Sequence, residues 1–124
     1  MRISDKVEQT LRQLAEQGRT LNCYVYDTTP MRQKIAHLNA IMPAGVEVYY
    51  AMKANPHLAF LQAAREAGAA GIEIASLGEA EKAVAAGFAP SQLIYTGPGK
   101  TPEELRWGVE QGIRTIHVES LLEA

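Results

Sequence analysis

The sequence is short of several features that would have pointed to a function class. Cys23 is the only cysteine among 124 residues, so no internal disulfide and no cysteine-based metal site can form. It reads most simply as a small apolar residue in a strand. Charge of neither sign prevails: the formal net is −2, which gives no basic footprint for nucleic acid and no polybasic anchor for a membrane. Long hydrophobic runs are missing, and no segment approaches the roughly 20 apolar residues of a membrane span. The start, Met1-Arg2-Ile3-Ser4-Asp5-Lys6, lacks the apolar core of a signal peptide, so a cytoplasmic protein is the default expectation. His37, His57 and His117 are not spaced as metal ligands.

What is present is the profile of one globular domain, with 47% apolar and 21% charged residues. Residues 4–17 carry Val7, Leu11 and Leu14 on one face between Ser4 and Gly18, which predicts a short amphipathic helix. Cys23-Tyr24-Val25-Tyr26 reads as a strand. Thr29 and Pro30 start a second helix with Ile35, Leu38 and Ile41 at helical spacing, closed by Pro43, Ala44 and Gly45.

From Val46 onward the chain is periodic. Apolar strands are expected at Val46–Met52, Gly71–Ala75, Leu93–Thr96 and Ile113–Val118, with centres about 20 to 25 residues apart, as successive βα units require. Each is followed by a helix start: Asn55-Pro56, Ser76 with Glu79, Thr101-Pro102 with Glu104, and Ser120 with Glu123. The last three match a capping box, in which hydroxyl and carboxylate satisfy free amides of the first turn. Gly68, Gly87 and Gly112 mark the helix ends. Strands joined by single helices should lie parallel. The rhythm fits half of a (β/α)8 barrel or the core of an open doubly wound sheet. On the barrel reading the chain stops near the middle, in the opening of a helix at Ser120-Leu121-Leu122-Glu123-Ala124, and has the look of a truncation.

The stretch Val48-Tyr49-Tyr50-Ala51-Met52-Lys53-Ala54-Asn55-Pro56 puts Lys53 where a strand hands over to a helix, the edge at which α/β folds place their chemistry. Such a lysine is either a catalytic amine or a solvated charge leaving a buried strand. Glu73 is harder to explain by solvation, because a carboxylate inside a short apolar parallel strand must face a polar cavity or find a partner. Glu79 has a simple use as the third residue of the Ser76 box. Gly97-Pro98-Gly99-Lys100-Thr101 suggests a phosphate loop, but Ile94 and Pro102 stand where the two nucleotide-binding patterns need glycine. It reads as a tight turn into a capped helix. His117, paired with Glu119, is a weak candidate.

Together Tyr50-Ala51-Met52-Lys53-Ala54-Asn55, Glu73-Ile74-Ala75-Ser76 with Gly78-Glu79, Gly97-Pro98-Gly99-Lys100 and His117-Val118-Glu119-Ser120 resemble the N-terminal part of the fold-type III pyridoxal-phosphate (PLP) decarboxylases. This is the family of the diaminopimelate and ornithine decarboxylases. The resemblance implies an α/β chain forming the N-terminal half of a TIM barrel of the alanine racemase-like kind. Residues 1–28 would be a helix and a strand belonging to a second β-domain, and residues 29–124 a partial PLP-binding barrel of about four βα units. It implies that Lys53 forms the internal Schiff base with PLP, that Ala51 lines the cofactor floor, and that Glu73 stands beside the cofactor where many relatives have aspartate. Partial burial of Lys53 at the barrel mouth would favour the neutral amine such chemistry needs. The turn at 97–101 and the strand at 117–120 are similar to the branch that decarboxylates siderophore precursors.

The resemblance further implies a homodimeric parent acting on a small amino-acid substrate. In the family the phosphate-binding loop, the histidine stacking on the pyridine ring, the partner of the pyridine nitrogen and the residues donated by a second subunit all come later in the chain. The isolated 124 residues are therefore expected to be inactive. A PLP-binding barrel without catalysis and a racemase of the same fold are the competing readings. The strand at 23–26 weighs against the first, and Pro56-His57-Leu58-Ala59 after the lysine against the second.

Overall fold

The computed structural model describes residues 4–124. Five helices and four strands follow in the order α1 (Asp5–Glu16), α2 (Thr29–Ile41), β1 (Tyr49–Ala51), α3 (Leu58–Glu66), β2 (Gly71–Ile74), α4 (Leu77–Ala85), β3 (Leu93–Tyr95), α5 (Pro102–Glu110) and β4 (Thr115–Ile116). The strands form one parallel sheet in the order β1-β2-β3-β4. They are shorter than the apolar runs that predict them.

The pleat sends alternate residues to opposite faces. One face presents Tyr50, Met52, Ile72, Ile74, Leu93, Tyr95 and Ile116, and it packs against Leu61 of α3, Ala80 and Ala83 of α4, and Trp107 of α5. Met52, Ile72, Leu93 and Tyr95 are wholly excluded from solvent. The apolar ones, Met52, Ile72 and Leu93, each contribute about 1.5 to 3 kcal/mol by leaving water. Ala63, Ala64, Ala80 and Ala83 are buried as the alanine-rich helices require. A smaller core of Ile35, Ala64 and Ala69 fastens α2 to α3.

An unbroken strand order with these helices on one face resolves the choice that sequence rhythm left open. A doubly wound sheet would reverse its order and cover both faces. Here the other face, with Tyr49, Ala51, Glu73, Ile94 and Thr115, is half-open, which is the arrangement of the first four units of a (β/α)8 barrel. At its base Glu47, just before β1, pairs with Arg114, just before β4, at 2.8 Å, and Arg114 lies 5.9 Å over the Tyr49 ring. Both partners are half-exposed, so the pair is worth at most about 1 kcal/mol.

The caps follow the sequence with three departures. Ser4 accepts the Val7 N–H, and Thr101 and Glu104 form the reciprocal box. Ser76 caps Glu79 as expected, while the Glu79 carboxylate reaches the Ala75 N–H, one residue further back than a standard box. The helix expected from Asn55-Pro56 begins two residues later. Asn55 Oδ1 accepts the His57 N–H and His57 Nδ1 accepts the Ala59 N–H, so histidine takes the capping position. Residues 120–123 make turns and no helix, with Glu123 accepting the Glu119 N–H.

The expected strand at Cys23–Tyr26 is also not formed. Tyr24 and Tyr26 are 90% and 64% exposed, stacked on one another at 6.3 Å, with Tyr26 edge-on to Phe60. A strand exists only through its ladder partner. None of the described residues pairs with this segment. The helix α1 has no buried residue and is tied to the start of α2 by the Ser4–Asp27 hydrogen bond at 3.2 Å.

Gly71 shows how tightly β2 meets its neighbours. A Cβ there would sit 1.8 Å from the Gln92 carbonyl oxygen and 2.5 Å from the Tyr49 ring. Gly71→Ala should therefore cost about 2 to 3 kcal/mol of stability, read from the midpoint of chemical denaturation. The caps also couple stability to pH. The Thr101 N–H, opposed by burial and helped by the Leu77 N–H, holds the Glu104 carboxyl below its ordinary value of 4.5. The ionised form thus stabilises the fold above pH 4.5, and this contribution is lost as pH falls through the lower folded-state value. Thermal melts of Glu104→Gln should show a shallower loss of stability below pH 4.5 than the unaltered chain.

Candidate active site

The strand β1 ends at Ala51, and the chain tightens into a single 3₁₀ turn at Met52–Ala54. Pro56 disfavours helix at the preceding residue, and Asn55 is accordingly extended, with φ −165° and ψ 109°. The Tyr50 hydroxyl donates to the Asn55 carbonyl at 3.2 Å and holds this turn from the helix side. Lys53 is left projecting from a short turn whose neighbour, Met52, is fixed in the core.

Its Nζ lies 3.6 Å from Glu73 Oε1. The lysine side chain is 76% exposed and that of Glu73 30%. The partial burial expected of Lys53 is therefore not present, because the half-barrel leaves the strand ends open. Glu73 meets both conditions set for a carboxylate in an apolar strand: it faces a polar cavity, and it is partnered. The Thr96 hydroxyl donates to Glu73 Oε1 at 3.0 Å, with the Ile74 carbonyl a longer alternative at 3.3 Å. Ala51 is the register partner of Glu73 and shares its face.

These groups stand on a concavity of about 540 Å³ lined by Tyr49, Lys53, Glu73, Ile94, Thr96, Gly97, His117 and Glu119. Ala51 is not part of that lining. The sequence motifs at 53, 73, 97 and 117–119 thus meet in one place. Thr96 and Tyr49 were missed by sequence reasoning, although counting two residues along each strand from Glu73 and its register partners reaches both. Glu79 is occupied with capping, and His37 and His57 lie outside the concavity, on α2 and at the start of α3. Among the described residues no group of His, Cys, Asp and Glu could hold a metal ion.

Lys100 lies in the tight turn expected at 97–101, for which the sequence assigned it no separate role. It is buried, with its ammonium donating to the Gly97 carbonyl, 3.3 Å from Glu123 Oε2 and 5.7 Å over the Tyr95 ring. The Glu119 N–H, with Lys100 adding to it against desolvation, holds the Glu123 carboxyl below the usual glutamate range. Tyr95 is buried without a hydrogen-bond partner of full geometry for its hydroxyl, and burial, then Glu104, push its ionisation far up. No sequence signal marks Lys100 as buried, since a lysine in a Gly-Pro-Gly turn looks solvated.

An aldehyde cofactor fits this donor set. It needs an accessible primary amine, which Lys53 provides, and a volume within the roughly 300–1,000 Å³ of small-molecule sites.

Comparison with known proteins agrees. Residues 28–124 match the family described as pyridoxal-dependent decarboxylase, pyridoxal binding domain. The chain is 38% identical over 118 residues to the 2-[(L-alanin-3-ylcarbamoyl)methyl]-2-hydroxybutanedioate decarboxylase of Staphylococcus aureus, covering 94% of this chain and 29% of that protein. It is 33% identical over 105 residues to the diaminopimelate decarboxylase of Zymomonas mobilis, covering 82% and 25%. Among solved structures, diaminopimelate decarboxylase from Helicobacter pylori complexed with L-lysine superposes with a TM-score of 0.80 at 26% identity, over 90% of this chain and 28% of that one. Ornithine decarboxylase from Entamoeba histolytica gives 0.80 at 26% identity, over 97% and 38%. The chain thus spans between a quarter and two fifths of the length of these relatives. By its sequence and its half-barrel architecture alike, the chain belongs to the pyridoxal-dependent decarboxylase family, with residues 28–124 falling in the pyridoxal-binding domain.

Proposed function

We propose that this chain supplies the lysine-bearing part of an amino-acid decarboxylase, with Lys53 as the residue that holds pyridoxal phosphate. The observation that carries the reading is the exposed Lys53 amine, set against a partnered carboxylate on the mouth of a concavity at the strand ends. Lys53 Nζ would bind the aldehyde carbon covalently, and Glu73 and its register partner Ala51, on the same face, would be the neighbouring residues that hold the group. Thr96, by donating to Glu73, keeps that carboxylate an acceptor turned toward the lysine. When bound, the cofactor supplies an electron sink for the bond broken at the substrate's α-carbon. When not bound to the cofactor, Lys53 Nζ would be the group on this chain able to take up or give a proton at the site, and Glu73, 3.6 Å away, would restrain where that amine sits.

The finer reading places the substrate with the siderophore-precursor branch. The 38% identity to the Staphylococcus aureus enzyme, over nearly the whole chain, supports it. The whole enzyme would be a cytoplasmic homodimer acting on a small amino-acid substrate. Residues 1–28, whose first three lie outside the described residues, would belong with a second β-rich domain, and residues 29–124 with the barrel. The family match beginning at residue 28 supports this boundary. Among the described residues no helix is long and apolar enough to cross a membrane.

Adding pyridoxal phosphate to the full chain should produce the absorbance band of a lysine-bound pyridoxal. Borohydride reduction should fix the label on the peptide containing Lys53, and Lys53→Ala should abolish both. A band that persists in Lys53→Ala, or none in the unaltered chain, overturns this assignment.

A further inference from the structure

Lys100 is a buried ammonium that the proposed chemistry does not use. Removing such a charge from water is expensive, and burial is tolerated only with close partners. Its partners form a closed circuit. Lys100 donates to the Gly97 carbonyl and pairs with Glu123 at 3.3 Å. Glu123 accepts the Glu119 N–H at 2.8 Å, and Glu119 Oε1 accepts the Gly97 N–H at 2.9 Å. Gly97 is therefore held through both its N–H and its carbonyl. It also has a φ of +97°, which a residue with a side chain would adopt only under strain.

The residue before this doubly held glycine is Thr96, whose hydroxyl donates to Glu73, which in turn faces Lys53. We infer that Lys100 is a positioning residue: by clamping Gly97 between the β3–α5 turn and the β4 exit, it fixes the Thr96 hydroxyl on Glu73 and so fixes the carboxylate that faces Lys53. Glu119, which also lines the concavity, forms the second arm of the same clamp. The inference rests on the reading of Lys53 as the cofactor-bearing amine. It differs from a simple stabilising role because it predicts that Lys100 and Thr96 act along one path.

The test uses the full chain, without cofactor and with pyridoxal phosphate as the probe. Hydrogen exchange at the Gly97 amide, read by mass spectrometry, should accelerate by about tenfold in Lys100→Met and return toward the original rate in Lys100→Arg, which restores a charged donor. The pyridoxal phosphate concentration that half-saturates borohydride trapping of Lys53 should rise about tenfold in Lys100→Met and in Thr96→Val, and the double variant should be no worse than either single one. Additive losses, or unchanged protection of Gly97 in a folded Lys100→Met, overturn the inference. If Lys100→Met does not fold, Glu123→Gln removes the charge partner of Lys100 without touching Gly97 or the lining of the concavity and carries the same expectations. Failure of the unaltered chain to trap the probe at Lys53 removes the cofactor reading, while exchange at Gly97 still decides whether the clamp exists.

Discussion

The whole arrangement depends on the two-residue alternation of a parallel sheet covered by helices on one face. With α3, α4 and α5 packed on the Met52, Ile72, Ile74, Leu93 and Tyr95 side, every intervening residue must face the opposite way. That puts Ala51 beside Glu73 and Glu73 beside Ile94 in register. Slipping one strand by a single residue would carry Glu73 into the helix-facing core and Ile72 or Ile74 into the concavity. Burial of the apolar set therefore specifies the polar set, and the site inherits its geometry from a core whose residues take no part in chemistry.

Two lysines illustrate how burial changes what a charge does. Lys53 is mostly in water and its pairing with Glu73 contributes at most about 1 kcal/mol, so the contact orients the amine and adds little to the fold. Lys100 is out of water, with its charge met by Glu123, the Gly97 carbonyl and the Tyr95 ring. Breaking one partner there leaves a buried charge uncompensated, which is the costly case. The first lysine is available for reaction because it is exposed, and the second has a fixed place because it is not.

Much of this was legible in the sequence. The strand rhythm from Val46, the Thr101–Glu104 box and the glycines at 68, 87 and 112, which all take positive φ, were correctly placed because they express local chemistry. Lys53 stood out because it lies at a strand end, where α/β folds place their chemistry, and Glu73 because an apolar strand is a poor place for a solvated charge. Less was legible where two segments had to meet. Asn55 looked like a cap, yet His57 took that role once Asn55 was turned to hold the loop. Tyr24 and Tyr26 look like a strand by propensity, but propensity does not provide a ladder partner.

Taken alone, the sequence determined the order of strands and helices from β1 to β4, the parallel direction of the strands and the family to which its motifs point, since periodicity, capping and turn residues act over a few positions along the chain. Only the tertiary structure decided that the helices cover one face, which separates a barrel from a doubly wound sheet. It also decided that Thr96 meets Glu73, that Lys53 is exposed, and that Lys100 is buried against Glu123. Those outcomes depend on contacts between residues some 20 positions or more apart, or on the exclusion of water by packing, and no local pattern in the chain encodes either.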